Sequence, residues 1–343
     1  MPLDGYFLHF LTGELQGQLI GSRVEKVHQP SKHEVVLHLR GYRTACRLFL
    51  SASPNSPRLH ITAFAPENPA KPPMLCMLLR KHLIGAKLRA VTQAGLDRTV
   101  FLDFDATNEI GDPVSLRLCV EIMAKHSNII LLDGSGTILD AVKRVDASQS
   151  SYRQVQPGLA YVSPPPQDKL DLRVCTAQDV LDRVGAFPEK TLPSALLNAL
   201  QGASPLICRE LASRCGGMDT AVRELTGAQK ALLLRALDAL RETLASGGAP
   251  HILCDEVDAE RISRSWILRS TASPARPRCL KATRRCSTIS ISSVTGRTAR
   301  TSARPICSRR SRAQRRALRE SSTCSVRSWR AVPTATHCGC TAS

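Results

Sequence analysis

Glu121–Val145 reads EIMAKHSNIILLDGSGTILDAVKRV. Two apolar, β-branched runs, Ser127–Leu132 and Thr137–Val142, flank Asp133-Gly134-Ser135-Gly136. Glycine tolerates positive φ at little cost, so a short glycine-containing link between two β-prone runs predicts a hairpin. Just before it stand Glu121, Lys125, His126, Ser127 and Asn128. A strand entering a core seldom carries that much polarity unless its rim touches something, so this shoulder is the first candidate site.

Outward from the hairpin, Tyr6, Phe7, Phe10, Leu11 and Leu15 recur near helical spacing, predicting a helix over Gly5–Leu19 with Asp4 as its N-cap. Strands are expected over 23–30, 33–40, 44–51, 87–93, 99–104 and 114–122. Ala65–Pro73 is a Pro-rich connector, and a second helix follows over Pro73–Gly85 with Gly85 as C-cap. Residues 1–166 therefore read as an α+β domain. Ser163-Pro164-Pro165-Pro166 marks a boundary. Residues 173–247 are helical, with helices at Thr176–Val184, Leu192–Leu200, Pro205–Cys215 and Gly227–Leu244 and a short one at Thr220–Glu224, and 248–260 form a remainder.

The formal charge of +18 is confined to one end. From Arg261 onward 18 Arg and one Lys face a single acid, Glu320, so the preceding body is neutral. Residues 261–343 show no apolar periodicity and are rich in Ser, Thr, Arg and Cys. They read as a disordered basic tail, frame-shifted or otherwise non-native, against the alternative of a functional basic arm. The body's cysteines are scattered through apolar runs, as buried thiols of a reduced cytoplasmic protein would be. No secretory leader is read, because the first basic residue is Arg23 and Asp4, Glu14, Gln16 and Gln18 interrupt the opening stretch. No apolar window is long enough for a membrane span.

Five segments carry a resemblance: MPLDGYFLHFLTGEL at the start, MLLRKHLIGAKL at 77–88, Asp97-Arg98 before TVFLDF, EIMAKHSNIILLD at 121–133 and QPGLAYVSPPPQDKLD at 156–171. In this order they resemble the NFACT family over about residues 1–260. The resemblance implies ribosome quality control: binding of an obstructed large ribosomal subunit through rRNA, recruitment of tRNA (alanyl-tRNA in bacteria) and alanine tailing of stalled chains, with no cofactor. It also implies an amino-terminal domain similar to that of formamidopyrimidine-DNA glycosylases, followed by a helix–hairpin–helix-like unit. Family members continue into a coiled coil, and no heptads follow residue 260, so a truncated version is expected. An older family label suggests a fibronectin-binding adhesin as an alternative. A second alternative is an inactive glycosylase-like nucleic-acid binder. The glycosylases pair an N-terminal proline amine with an adjacent acid; here Leu3 follows Pro2, so a non-catalytic factor is expected.

The resemblance ties Asp97-Arg98 to tRNA binding; the residues alone favour a turn-cap salt bridge at a strand start. Lys125 and His126 suit phosphate or 2′-hydroxyl contacts, and Asn128 a base edge or the pinning of the loop. The competing reading is a hydrogen-bonded network with Glu121 paired to Lys125. Arg80, Lys81 and His82 suit either an RNA backbone or the C-terminal dipole of the second helix. Gly202 and Ser204 resemble a helix–hairpin–helix turn whose amides could meet phosphate. Gly134-Ser135-Gly136 is a turn rather than a dinucleotide loop. His33 and His38 are too isolated to suggest a metal, and His337-Cys338-Gly339-Cys340 holds only half a zinc ligand set.

Overall fold

A computed structural model describes residues 3–42, 45–64, 66–247 and the backbone of 251–254 and 262–265. The first helix, α1 (Gly5–Leu19), begins where Asp4 accepts a hydrogen bond from the Phe7 N–H. The chain continues through β1 (Arg23–Ser31), β2 (Glu34–Arg40), β3 (Ala45–Ser51), β4 (Arg58–Thr62), α2 (Met74–Leu83), β5 (Lys87–Gln93), β6 (Thr99–Thr107), β7 (Pro113–Glu121), β8 (Asn128–Leu132) and β9 (Ile138–Ala141). These form one antiparallel sheet of nine strands in the order β4-β3-β2-β1-β5-β6-β7-β8-β9. The α+β expectation holds, with β4 an additional strand. Two meanders meet where β1 and β5 pair at Arg23 and Lys87.

The sheet is covered on both faces around the hairpin. Leu118, Val120, Ile129 and Leu131 join α1 and α2 in the main core, whereas Cys119, Ile130, Leu132 and Ile138 pack on the other side against Val155 and Tyr161. All five residues of β8 are buried, which is why its sequence shows no alternation of apolar and polar residues.

Beyond residue 170 come α3 (Ala177–Gly185), α4 (Leu192–Ala199), α5 (Pro205–Arg214) and α6 (Gly227–Ser246). Capping boxes at Thr176/Asp179 and Thr226/Gln229 start α3 and α6, satisfying amides that have no partner inside a helix. Their shared core admits Tyr6 and Leu96 from the sheet side. A short hairpin, β10 (His251–Cys254) and β11 (Ile262–Ser265), straddles the position where composition places the start of the basic segment. The rest of the predicted tail, including His337-Cys338-Gly339-Cys340, lies outside the described residues, as does Pro2. The six cysteines whose side chains are described are free. Among the described residues no helix is long and apolar enough to cross a membrane.

Asp4 sits at the join of sheet and helices, where burial raises its pKa against hydrogen bonds from Ser204 and Phe7. Since the folded pKa lies above the unfolded one, the folded state loses stability as pH rises through and above the normal Asp range. Asp4→Asn, which still caps a helix, should be more stable than the wild type at pH 7 but not at pH 3.5. Urea midpoints at the two pH values check this.

Candidate functional site

β7 ends at Glu121 and β8 begins directly opposite at Asn128. Between them runs a single 3-10 turn, Ala124–His126. Ala124 has φ +50°, the only positive φ outside glycine among the described residues. That conformation costs a non-glycine residue about 1–2 kcal/mol and persists only where its surroundings impose it. Here they do. Ser127 Oγ accepts the Met123 N–H at 2.8 Å. Asn128 donates to the Lys143 carbonyl at 2.7 Å and accepts the Lys143 N–H at 2.9 Å. Lys143 Nζ donates to the Lys125 carbonyl at 3.2 Å. The loop is thus pinned through Ser127 and Asn128, while Lys125 and His126 project into solvent.

Glu121 is 1% exposed and accepts both arms of the Arg153 guanidinium, together with the Tyr161 hydroxyl at 2.9 Å. This corrects the Glu121–Lys125 pairing of the competing reading: the 3-10 turn carries Lys125 away, and the partner of Glu121 lies 32 residues downstream. Burial pulls on the Arg153 pKa, but the bonds and charge of Glu121 outweigh it and hold the value above normal. Burial, followed by Cys119 and Glu121, raises the pKa of Tyr161.

Asp97 and Arg98 occupy the turn from β5 to β6. The Asp97 carboxylate accepts the Arg98 N–H at 2.7 Å, and Gln93 donates to the carbonyls of both Asp97 and Gly5. The Arg98 carbonyl accepts the Ile122 N–H at 2.9 Å. That bond sets the pair beside the shoulder.

The two motifs open onto one cleft of about 990 Å³. Its lining includes Asp97, Arg98, Glu121, Lys125, His126 and Asn128, with Lys32 and His33 from the β1–β2 turn, Lys143 and Arg144 after β9, and Tyr152 and Arg153 beyond. Arg144 is held by Asp140 and Arg153 by Glu121. Among the described residues Lys32, Arg98, Lys125 and Lys143 take part in no salt bridge, so the cleft is cationic on a neutral body. Burial, then the charges of Lys143 and Lys32, lowers the His33 pKa and favours its neutral form. The sequence reading missed Lys32, Lys143, Tyr152 and Arg153. The Lys143-Arg144 pair straight after the second hairpin strand was the available signal.

Other expected contacts lie elsewhere. Ser127 is buried beneath the loop and does not line the cleft. Arg80 donates to the Val27 carbonyl, Lys81 pairs with Glu109 at 3.0 Å, and neither they nor His82 reach the cleft. The Gly202 carbonyl accepts the Gly5 N–H at 2.9 Å, and Ser204 caps α5 and bonds Asp4. These groups close an internal junction, and the Asp4 carboxylate beside the α5 N-terminus opposes an anion there. Leu3 is a core residue, and the Asp4 carboxylate accepts the Phe7 N–H as the cap of α1.

A nine-stranded antiparallel sheet bearing Asp97-Arg98 and the 121–128 loop on one cleft, joined to a four-helix unit, defines the class: the chain belongs to the NFACT family, whose N-terminal and middle domains match residues 4–277. The protein named Rqc2 homolog RqcH from Bacillus subtilis (strain 168) is 43% identical over 217 residues, 63% of this chain and 38% of that protein. The archaeal Rqc2 homolog aRqcH of Methanocaldococcus jannaschii is 26% identical over 248 residues, 71% of this chain and 35% of that one. The human ribosome quality control complex subunit NEMF is 27% identical over 136 residues, 40% and 12% of the two chains. The chain spans at most 38% of these relatives' length. Among solved structures, the N-terminal part of the fibronectin/fibrinogen-binding protein of Streptococcus suis superposes with TM-score 0.66 at 29% identity, covering 85% of this chain and 96% of that one. The fibrinogen binding protein of Staphylococcus aureus gives TM-score 0.65 at 30% identity, covering 78% and 91%.

Proposed function

We propose that this chain is the tRNA- and rRNA-contacting portion of a ribosome quality-control factor. In this reading it is non-catalytic and acts in the cytoplasm. It helps hold an obstructed large ribosomal subunit and a tRNA, alanyl-tRNA by family resemblance, during alanine tailing of the stalled chain. One observation carries the reading: Asp97-Arg98 and the exposed Lys125-His126 line one cleft together with Lys32 and Lys143, which among the described residues take part in no salt bridge. Arg98 can fork onto phosphate or stack on a loop base, and Asp97 can accept from an exocyclic amine. The lysines supply salt-dependent attraction for the backbone.

A fragment of residues 1–247 keeps the cleft and leaves out the Arg-rich segment. It is expected to bind tRNA weakly, and Asp97→Ala with Arg98→Ala to reduce that binding at least about tenfold, as loss of charge-assisted hydrogen bonds would. Fluorescence anisotropy with labelled tRNA measures it. Unchanged affinity in the double variant removes these two residues from the site. Binding of fibronectin by the same fragment, abolished by the same variant, would instead favour the ligand named for the Streptococcus suis relative.

A further inference from the structure

The cleft continues beyond its own rim. A second cleft of about 460 Å³ shares Lys32, Val142 and Arg144 with the first and runs on to Lys71 and Pro73. Together they make one groove past β9, the last strand of the sheet. Three lysines mark its course: Lys143, Lys32 and Lys71. Among the described residues none of the three takes part in a salt bridge, whereas Arg144 between them is already tied to Asp140.

Tyr152 lines the first cleft and is 59% exposed. Its loop is closed at the base by two backbone bonds between Val145 and Val155, at 2.9 and 2.8 Å. Within the loop the Asp146 carboxylate accepts from Ser148 and Gln149, and the Arg153 N–H donates to Ser150 Oγ at 3.1 Å. The Arg153 side chain is anchored on buried Glu121. The residue before that anchor is therefore held in place with its ring presented to solvent, which costs little ordering entropy when a flat partner arrives.

We propose that this groove binds single-stranded or loop RNA, with Tyr152 as the stacking platform for one unpaired base and Lys143, Lys32 and Lys71 contacting successive phosphates. The inference rests on the RNA-binding reading of the cleft. An exposed aromatic beside a cationic track is the arrangement that sequence-tolerant single-strand binding uses. A concave groove of this kind takes splayed-out nucleotides, whereas an A-form helix is met across its broad minor groove. His33, kept neutral, adds no charge of its own.

The test uses the full chain and oligoribonucleotides of about 4 and about 10 nucleotides carrying 4-thiouridine, with a blunt duplex for comparison. Photocrosslinking is expected to label the peptide containing Tyr152, a readout to which the Arg-rich segment cannot contribute. Tyr152→Ala should weaken both single strands roughly tenfold, and Tyr152→Phe should retain affinity. Lys71→Ala should weaken only the longer strand and lower its salt slope by about 0.7. Crosslinks confined to residues after Arg261, unchanged affinity in Tyr152→Ala, or duplex bound as tightly as single strand would each overturn the proposal. If Tyr152→Ala is neutral while Asp97→Ala with Arg98→Ala abolishes binding, the groove inference falls and the cleft reading stands. If the wild type binds no RNA, both fall.

Discussion

Glu121→Ala is expected to destabilise the fold by about 3–5 kcal/mol, as breaking one side of a buried ion pair does. The carboxylate is 1% exposed, the Arg153 side chain is 14% exposed, and the two meet through both arms of the guanidinium. Removing Glu121 strands that cation and also leaves the Tyr161 hydroxyl without its acceptor. The cost is the desolvation of unpaired groups rather than the net worth of the pair, which makes a compensating variant informative. Glu121→Leu with Arg153→Met should recover most of the loss, because Cys119, Phe101 and Val155 already make that face of the sheet apolar. Urea midpoints for the singles and the double complete the cycle. High salt should change them little, since the pair is shielded from solvent. Equal destabilisation in all three variants would mean that the pair has no special role and that packing alone is being read. The double variant should nonetheless bind RNA less well than the wild type, because the anchor that presents Tyr152 is gone.

Elements whose signals are local were legible in the sequence. Asp4 announced the start of α1, and Thr176 that of α3, because a cap and the turn it starts are neighbours in the chain. The Asp133–Gly136 hairpin was legible for the same reason. β4 was not. Its five residues RLHIT follow Ser53-Pro54-Asn55-Ser56-Pro57, and such a short run becomes a strand only because β3 pairs with it. The site divides in the same way. Asp97-Arg98 and Lys125-His126 stand out by type, but their common cleft depends on the bond between the Ile122 N–H and the Arg98 carbonyl, which joins positions far apart in sequence. Glu121 looked for a partner four residues on and found one in the loop that follows β9. Proximity misled because the 3-10 turn that follows the strand end carries Lys125 out into solvent.

Gly202 shows the same limit, and it carries the second large effect. Its Gly-Ala-Ser-Pro setting resembles a loop that admits a phosphate, yet the close approach it allows is to the protein itself. A Cβ added at Gly202 would stand 2.3 Å from the Leu96 carbonyl oxygen, on a residue whose φ is +74°. One added at Gly5 would stand 1.8 Å from the same oxygen and 2.7 Å from the Gly202 Cα. Both obstacles are backbone, so no side chain can swing aside, and relief requires that the sheet and the helical unit move apart. Gly202→Ala and Gly5→Ala are each expected to cost about 3 kcal/mol or more through overpacking against backbone, with the positive φ of Gly202 adding to its share. Because they break one junction, the double variant should cost far less than the sum of the two. Gly13→Ala, in the middle of α1 with nothing within 4 Å, is the control and should stabilise by about 0.5–1 kcal/mol. The junction also reaches the site, because the Gln93 side chain donates to the carbonyls of Gly5 and Asp97 alike. Opening it should displace the Asp97-Arg98 turn, so Gly202→Ala should lose tRNA affinity at temperatures where thermal melting shows it still folded. A folded Gly202→Ala chain with wild-type affinity would show that the helical unit carries the cleft passively and that the turn is positioned by the sheet alone.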